Sequence, residues 1–525
     1  MPNPLPSGIE TSGSASTPES GAEVTLSGGP YRFLAAEFFD QTDVHSELLF
    51  EREWLLHPSE RELYWRGNAF ALEDTLSGAG TVYLKLAPLP DERAHATAWD
   101  VHIRGATQVN FNDGDPYQWV SRAYTGGQWG RIAAAHALQN QIRPFHPERD
   151  SQLLTNTWGD RGQDAHHSPA FMAEEIEAAA RLGADIVQID DGWQRGMTAN
   201  SAYANAAGSG AWNGFWAADP EFWSIHPERF PDGLAPLIGR ARELGLKFGL
   251  WFAPDSSSDG ANWEKDAEAI LSLHRELGVD FFKMDSVKIE SPDGETNLLR
   301  FFAKVVEISN GRVTLDLDIT AERRFGYFGA IAAGPLFVQN RYTDWANYWP
   351  HQTLRVIWKL AHWIPPHRLR MEFLNNFRNA GKYPESPLAP AHWKPDALFA
   401  ITLFCAPLGW FEVQHLPEEY LAAVTPLTST WKEHRAAIHA GTILPIGEAP
   451  DGAAWTGFVS LGADTNYALV FRELNPRSEW SYRIPTAGEK SANCELLGGQ
   501  GSARLEDGVL FVEIEEPLGF VWVKF

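Results

Sequence analysis

The segment VDFFKMDS, residues 279–286, places an ammonium and a carboxylate at the end of an apolar, strand-like run. Lys283 and Asp285 are two positions apart, so both side chains would project from the same side of a strand. A nearby cation opposes protonation of a carboxylate and keeps it ionised at neutral pH. The pair is therefore compatible with a structural ion pair at a strand end, or with an anionic nucleophile.

The same pattern recurs after other apolar runs in the middle of the chain. The first run ends in Asn156 and Trp158, the second in Asp190, Asp191 and Trp193, and the third in Trp251 and Asp255. The fifth ends in Asp316 and Asp318, and the sixth in Arg341 and Asp344. Solvation of unrelated strand ends would not repeat so regularly, and it would not bring tryptophan with it. Two carboxyl groups can cleave a glycoside when one protonates the leaving oxygen and the other attacks the anomeric carbon. Indole faces can stack on sugar rings.

Strand-like runs alternate with amphipathic helical segments from about residue 150 to residue 438. One such helix is SPAFMAEEIEAAARLG, in which Ser168 is the predicted N-cap, Pro169 the first helical residue and Gly183 the residue past the end. Eight runs separated in this way predict a (β/α)8 TIM barrel, whose active site lies at the C-terminal ends of the strands. A doubly wound open sheet is the alternative, but no GxGxxG or P-loop follows an early strand.

The flanking regions carry short alternating runs divided by turn residues. Residues 22–145 predict an N-terminal antiparallel β-sandwich domain, and residues 439–525 predict a C-terminal β-sandwich domain. Residues 1–21 are rich in proline, serine and glycine, which predicts a flexible tail without the features of a secretory signal. The predicted fold is multidomain, with the catalytic barrel at 150–438 between the two β-domains.

Composition excludes several classes of partner. The formal net charge of −25 disfavours nucleic acid and anionic membranes. Two cysteines, Cys405 and Cys494, cannot build a disulfide framework or a cysteine-based metal site. The pair His166 and His167 lacks the HxH or HExxH spacing of a metal site, so neither a metal nor a cofactor is predicted. With no apolar run of about 20 residues, we expect a soluble cytoplasmic protein that binds an oligosaccharide or glycoside. Assembly into a homo-oligomer stays open.

Four segments carry a family resemblance: IDDGWQ, GLWFAP, FFKMD and NRYTDW. They resemble the signature segments of the retaining α-galactosidases, and glycoside hydrolase family 36 in particular, including its raffinose-synthase-like branch. The resemblance implies that Asp285, in a KxD motif on the fourth strand, is the nucleophile and that Asp344, after the sixth strand, is the acid/base. It also implies that Asp190 and Asp191 bind the far hydroxyls of the sugar.

The residues around these carboxylates complete the predicted site. The further predicted substrate contacts are Lys283, Arg341, Trp158, Trp193, Trp251 and Asp318. The chain departs from the family pattern after strand five, where LDLDITAERRFGYF replaces a glycine-rich Cys-Ser-Gly segment. It also has Trp345 in place of a second aspartate, and Ala253 where the family often has glutamate. In the family that the chain resembles, these positions line the pocket around C2 and the leaving group of the sugar, so the exact sugar stays open.

Together, the residues and the resemblance predict a retaining exo-α-glycosidase of α-galactosidase type that forms a covalent glycosyl-aspartate. Within enzymes, the alternatives are a transglycosylase of raffinose-synthase type and an α-glycosidase for N-acetylgalactosamine, L-arabinopyranose or glucose. A metal-dependent barrel hydrolase is a third. A non-catalytic carbohydrate-binding protein is the alternative outside enzymes.

Overall fold

The computed structural model describes most of the chain. The described residues are 23–26, 29–40, 47–57, 62–105, 108–112, 114–160, 162–207, 210–319, 323–338, 348–485 and 491–525. Within these ranges, no helix combines the length and the apolar character that crossing a bilayer demands.

Two antiparallel sheets form the N-terminal region. Their strands are β1 (Glu23–Thr25), β2 (Tyr31–Phe38), β3 (Leu49–Leu56), β4 (Glu62–Trp65), β5 (Ala69–Asp74), β6 (Gly80–Lys85), β7 (Val101–Arg104), β8 (Gln108–Phe111) and β9 (Trp119–Tyr124). The strand orders are β1-β8-β7-β4 and β3-β2-β5-β6-β9. An aromatic cluster that includes Phe33, Phe70 and Trp119 fills the core of this region. Helices α1 (Gly127–Ile142) and α2 (Pro147–Asp150) lead from these sheets into the next region.

Eight parallel strands, in the order of the chain, close into a barrel. They are β10 (Leu154–Asn156), β11 (Ile186–Ile189), β12 (Lys247–Phe252), β13 (Phe281–Met284), β14 (Thr314–Asp318), β15 (Leu336–Val338), β16 (Leu369–Glu372) and β17 (Ala406–Trp410). The helices are α3 (Pro169–Leu182), α4 (Ala202–Ala207), α5 (Phe215–Ala218), α6 (Ala235–Glu243), α7 (Ser257–Gly260), α8 (Trp263–Leu277), α9 (Pro292–Ile308), α10 (Pro350–Leu360), α11 (Pro395–Ala400) and α12 (Glu418–Ala440). The predicted barrel is confirmed.

Helix α3 begins and ends as its sequence predicts. The Ser168 hydroxyl accepts a hydrogen bond from the amide of Phe171 at 3.2 Å, and Pro169 is the first helical residue. Gly183 ends the helix with a φ of 84°, a left-handed conformation that glycine adopts without a Cβ clash.

Strands β14 and β15 are not joined by a helix in the part of the connection that the structure describes. Residues 323–335 form bends and turns there. The described part of this connection is therefore an irregular segment, and it carries Arg324.

The C-terminal region again consists of two antiparallel sheets. Its strands are β18 (Thr442–Gly447), β19 (Trp455–Leu461), β20 (Asn466–Arg472), β21 (Glu479–Arg483), β22 (Ala492–Asn493), β23 (Glu495–Gly499), β24 (Ser502–Glu506), β25 (Val509–Glu513) and β26 (Gly519–Lys524). The strand orders are β18-β19-β20-β26-β23 and β21-β25-β24-β22. Their facing apolar residues form one buried cluster, as in a β-sandwich. The predicted fold class is confirmed.

Candidate active site

Strand β13 sends alternate side chains into the barrel at increasing height. Phe281 lies in an apolar interior layer with Leu154, Ile186, Leu408 and other residues of neighbouring strands. Lys283 lies above this layer, and its Nζ is 5.0 Å from the ring centroid of Phe337. Because side chains alternate along a strand, the next inward position is Asp285, at the C-terminal mouth.

Three carboxylates surround the ammonium of Lys283. Its Nζ lies 3.1 Å from Asp190 Oδ2, 3.6 Å from Asp285 Oδ2 and 3.9 Å from Asp318 Oδ2. Burial alone would lower the pKa of Lys283, but these three carboxylates raise it well above its ordinary value. The side chains of Lys283, Asp190 and Asp318 are at most 2% exposed, whereas that of Asp285 is 16% exposed. Within this cluster, Asp285 is therefore the carboxylate that a ligand in the mouth can reach.

Both oxygens of Asp285 are held by donors. Oδ1 accepts hydrogen bonds from the amide of Ser286 at 2.7 Å and from Arg324 Nη2 at 2.8 Å. Oδ2 accepts one from Trp251 Nε1 at 3.2 Å. Burial opposes ionisation, but the charges of Lys283 and Arg324 hold the pKa of Asp285 well below its usual range. The group is thus an oriented, ionised carboxylate, which is what nucleophilic attack on carbon requires.

The residue after Asp285 has an unusual backbone conformation. Ser286 is buried and has a φ of 48°, in the left-handed region that few residues other than glycine adopt. This conformation accompanies the donation of the Ser286 amide to Asp285 Oδ1. Such strained residues persist where the surrounding structure fixes them, and they cluster at functional sites.

Asp190 lies at the floor of the site. Its Oδ2 accepts hydrogen bonds from Lys283 and from Asn156 Nδ2 at 2.8 Å, and its Oδ1 accepts one from the amide of Asp191. Burial is the main cause of a raised pKa for Asp190, and Lys283 opposes it. Asn156 ends β10 and Asp190 follows β11, so residues at the ends of the first two strands together hold the carboxylate that binds Lys283.

Asp191 and Trp193 occupy positions behind the mouth. The carboxylate of Asp191 accepts hydrogen bonds from Gln194 Nε2 at 2.7 Å and from the hydroxyl of Thr198. Trp193 has no exposed surface, and its Nε1 donates to the carbonyl of Trp251 at 2.8 Å. These contacts fix the loop after β11 and support Trp251, and contact with a sugar stays a prediction for both residues.

The remaining predicted residues divide between the mouth and the undescribed segments. Trp158 is half-buried against the interior apolar layer, and Trp251 is buried with its indole N–H directed at Asp285. Asp318 faces Lys283 and also lies 3.7 Å from Arg324 Nη1. Arg341 and Asp344 lie outside the described residues.

Asp316 and Asp318 both end the fifth predicted strand, but the structure separates them. Asp316 lies deeper in the barrel, where its Oδ2 is 3.0 Å from Nε of the fully buried Arg370. Asp318 is two positions further along β14, at the level of Lys283. Of the two, it is Asp318 that reaches the candidate site.

Sequence reasoning missed two residues that contact this cluster. Trp410 ends β17, and its ring centroid is 5.4 Å from Lys283 Nζ. The strand-end rule applied to the other strands would have found it. Arg324 lies in the segment that departs from the family pattern, and no local sequence signal connects it with Asp285.

One group of potential metal ligands lies in the described part of the chain. Asp160, Glu412 and His415 offer ligand atoms within 4.8 Å of one another, on the segments that follow β10 and β17. Arg378 already forms an ion pair with Asp160, and the amide of Glu412 donates to Asp160 Oδ2 at 2.6 Å. Both carboxylate oxygens of Asp160 are therefore bound by protein donors, so these three residues fit a hydrogen-bonded cluster better than a metal site.

Four buried carboxyl groups are expected to make the protein less stable as the pH rises from about 6.5 to about 8. Burial raises the pKa of Glu92 and Glu175 to about 8 and that of Asp191 and Asp266 to about 7. In the unfolded chain, these groups ionise near pH 4. In this window the folded state thus holds protons that the unfolded state has released. The free energy of unfolding falls with pH by up to about 1.4 kcal/mol per unit for each group that is still protonated, and the contribution of Asp191 and Asp266 fades above about pH 7.

Buried histidines make the protein more stable as the pH rises, but only below the ordinary histidine pKa of about 6.5. Burial lowers the pKa of His136, His167, His351, His362, His367 and His439. Urea unfolding at a series of pH values would measure the decline in the free energy of unfolding above a pH of about 6.5. Glu175→Gln, which mimics the protonated side chain, should reduce the slope by about one proton. An unchanged slope in this variant would contradict the assignment.

The comparisons with known proteins agree with this geometry. Residues 119–276 match the melibiase family. Over 182 residues the chain is 30% identical to an α-galactosidase of Escherichia coli, a match that covers 34% of this chain and 23% of that protein. The fold matches the family 36 α-galactosidase AgaA of Geobacillus stearothermophilus with a TM-score of 0.66, over 96% of this chain and 75% of that one, at 14% identity. A variant of AgaA in complex with raffinose matches with a TM-score of 0.66, over the same shares, at 13% identity.

A closed parallel barrel with an ionised carboxylate between two cations at its mouth is an arrangement typical of the barrel-fold glycoside hydrolases. Within that class, the melibiase segment and the Escherichia coli relative make the chain similar to α-galactosidases, and its fold is similar to that of an α-galactosidase of glycoside hydrolase family 36. The family resemblance inferred from the sequence is confirmed. The chain spans about a quarter of the length of the Escherichia coli relative, and the structural matches at these identities establish the fold.

Proposed function

We propose that this protein is a retaining exo-α-glycosidase of α-galactosidase type. The observation that carries the proposal is the environment of Asp285, a partly exposed carboxylate held between Lys283 and Arg324 at the mouth of the barrel. An ion pair with a purely structural role would be expected to close on itself, whereas Asp285 retains 16% exposure beside Lys283 and two further carboxylates that are buried. The names of the relatives support the same activity.

In the proposed first step, an oxygen of Asp285 attacks the anomeric carbon while the glycosidic carbon–oxygen bond breaks. The leaving oxygen takes the proton of the Asp344 carboxyl group, and a covalent glycosyl ester forms on Asp285. In the second step, Asp344 removes a proton from water, which attacks the same carbon and releases Asp285. Two inversions give a product with the anomeric configuration of the substrate.

The other residues would bind the terminal sugar. Asp190 lies next to Lys283 at the floor, so these two groups could share hydrogen bonds with hydroxyls on the far side of the ring. Trp158 offers a half-buried indole near the interior layer, and its face would form one wall. Arg341 would bind substrate or a neighbouring carboxylate beside Asp344. No step in this scheme draws on a metal or a cofactor.

The anomeric configuration of the first product tests the retaining mechanism. Purified protein would be screened on p-nitrophenyl α- and β-glycosides of galactose, N-acetylgalactosamine, glucose and L-arabinopyranose. We expect turnover of an α-glycoside, and proton NMR early in the reaction should show the α-anomer before mutarotation. A β-anomer as first product would contradict the double displacement. Adding a sugar acceptor would reveal a transglycosylase, in which transfer products replace the free sugar.

Domain boundaries and location are further parts of the proposal. We propose a division at about residues 145–150 and 438–439, supported by α1, which ends at Ile142, and α12, which ends at Ala440. A cytoplasmic location is supported by the two cysteines, Cys405 and Cys494, which are both free thiols.

A further inference from the structure

One tryptophan differs from the others in its exposure. Trp212 is the most exposed tryptophan in the part of the chain that the structure describes, at 43%. The tryptophans of the candidate site, such as Trp193, Trp251 and Trp410, are buried. A single exposed apolar residue is common on protein surfaces and needs no explanation by itself. The position of Trp212 on the barrel therefore decides whether it has a role.

Hydrogen bonds on both sides of Trp212 fix its position. It belongs to the long connection after β11, in which the amide of Ala211 donates to the carbonyl of Met197 at 3.0 Å. On the other side, the amide of Gly214 donates to Asp255 Oδ1 at 3.0 Å. Asp255 comes shortly after the C-terminal end of β12. Trp212 is thus held at the end of the barrel where the active site lies.

Asp255 supports this connection with the whole of its carboxylate. Besides Gly214, Oδ1 accepts hydrogen bonds from the amide and the hydroxyl of Ser257 at 3.0 and 2.7 Å, and Oδ2 accepts one from Asn262 Nδ2 at 3.1 Å. Asp255 has no exposed surface. A side chain on a segment that is already fixed loses little further freedom when it binds a ligand.

The ring of Trp212 meets the segment that follows the proposed nucleophile. Lys288 is three residues after Asp285, and its Nζ lies 5.7 Å from the ring centroid of Trp212, within the range of a cation–π contact. The amide of Lys288 donates to the hydroxyl of Ser256 at 3.2 Å, and the amide of Asp285 donates to the carbonyl of Phe252 at 3.0 Å. The segments after β12 and β13 therefore lie side by side, and Trp212 lies at the edge of the mouth next to them.

An exposed indole beside an ammonium suits a carbohydrate ring. The C–H groups of a pyranose can pack against an aromatic face, and the ammonium can donate to a hydroxyl at the edge of the ring. In the proposed function, Asp190 and Lys283 at the floor bind the terminal sugar that Asp285 attacks. The group on the other side of the breaking bond must then extend outward, towards the edge of the mouth.

We propose that Trp212 is a specificity-determining residue, on which the sugar ring joined through the leaving oxygen stacks. The inference rests on the proposed function and deepens it, because it identifies the substrate class as oligosaccharides. A glycoside whose leaving group is too small to reach Trp212 gains nothing from this contact.

The experiment compares a substrate that has a sugar ring on the leaving side with one that has none. Cleavage of raffinose releases a disaccharide, whereas cleavage of α-galactosyl fluoride releases only a fluoride ion. We expect Trp212→Ala to lower kcat/KM for raffinose by about 10-fold, the effect of one lost ring contact. Its kcat/KM for the fluoride should stay near the wild-type value, which also shows that the variant folds.

Two variants of the same residue separate stacking from simple apolar contact. Trp212→Phe keeps an aromatic face, so its kcat/KM for raffinose should lie closer to the wild-type value than that of Trp212→Leu. Tyr64→Ala is the matched control, because Tyr64 is an aromatic residue of similar exposure, 54%, on β4 of the N-terminal sheets. This variant should cleave both substrates as the wild type does.

Three results would overturn the inference: wild-type cleavage of raffinose by Trp212→Ala, an equal loss with both substrates in that variant, or the same selective loss in Tyr64→Ala. If the wild type cleaves both substrates and any of these results is found, the proposed function stands and only the inference fails. A wild type that cleaves neither substrate would contradict the proposed function, and the inference would fail with it.

Discussion

Replacing Asp285 with asparagine is expected to lower kcat by about 10⁴-fold, equivalent to roughly 5.5 kcal/mol of transition-state stabilisation. The amide has nearly the same shape and can still accept a hydrogen bond from Trp251, but it is a poor nucleophile toward an anomeric carbon. Steady-state turnover of the best p-nitrophenyl α-glycoside measures the loss. The variant should still bind the sugar, because Asp190 and Lys283 are unchanged.

The matched control is Asp280→Asn. Asp280 lies at the opposite, N-terminal end of the same strand, where it contacts His274 Nδ1 at 2.7 Å. Its replacement should leave turnover close to the wild-type value. Equal losses in both variants would indicate a general effect on the barrel rather than loss of a nucleophile.

Chemical rescue makes the test more specific. In Asp285→Gly, azide could enter the vacated space and attack the anomeric carbon from the face that Asp285 normally uses. With an α-glycoside carrying a good leaving group, the expected product is a β-glycosyl azide. Recovery of an α-glycosyl azide, or full activity of Asp285→Asn without azide, would contradict the mechanism.

Replacing Arg324 with alanine should have the second largest effect, a loss of about 10²-fold in kcat, the magnitude typical for one preorganised charged donor. Arg324 donates at 2.8 Å to Asp285 Oδ1 and also approaches Asp318. Its removal therefore takes one hydrogen bond and one positive charge away from the nucleophile. Arg324→Lys keeps the charge but not the planar donor geometry, so an intermediate kcat is expected.

The pH dependence of turnover tests the electrostatic effect of Arg324 on Asp285. Lys283 and Arg324 lower the pKa of Asp285, so loss of Arg324 raises it toward the ordinary value. A smaller fraction of Asp285 is then ionised at low pH, and the acidic limb of kcat/KM should move to higher pH. Arg323→Ala is the control, because Arg323 is adjacent but exposed. An unshifted acidic limb in Arg324→Ala would contradict this electrostatic role.

The barrel strands could be predicted from the sequence because their signals are local. Apolar runs such as Lys247–Phe252, which lie between helical segments, favour a strand through the pattern of a few neighbouring residues. The pairing of Lys283 with Asp285 follows equally from an alternation over three residues. The polar strand ends then converge because parallel strands of a closed barrel share one mouth.

The environment of Trp193 could not be predicted in this way. A tryptophan after a strand can line a pocket or fill a core, and both choices look the same in the sequence. The structure packs it without exposure, 6.2 Å from the ring of Trp223 in the long connection after β11. That outcome depends on the path of the whole connection, and a periodic pattern gives no information about it.

The sequence alone determined the barrel, the two flanking β-regions and the carboxylate at the end of the fourth barrel strand. These depend on periodicity and on neighbours a few positions apart, which chain geometry fixes. The tertiary structure decided which cations and supports surround that carboxylate. Arg324 meets Asp285 across 39 residues of chain, and the loop that carries Arg324 packs against Leu89 of the N-terminal region. Such contacts arise only when separate elements pack, since distance along the chain does not specify distance in space.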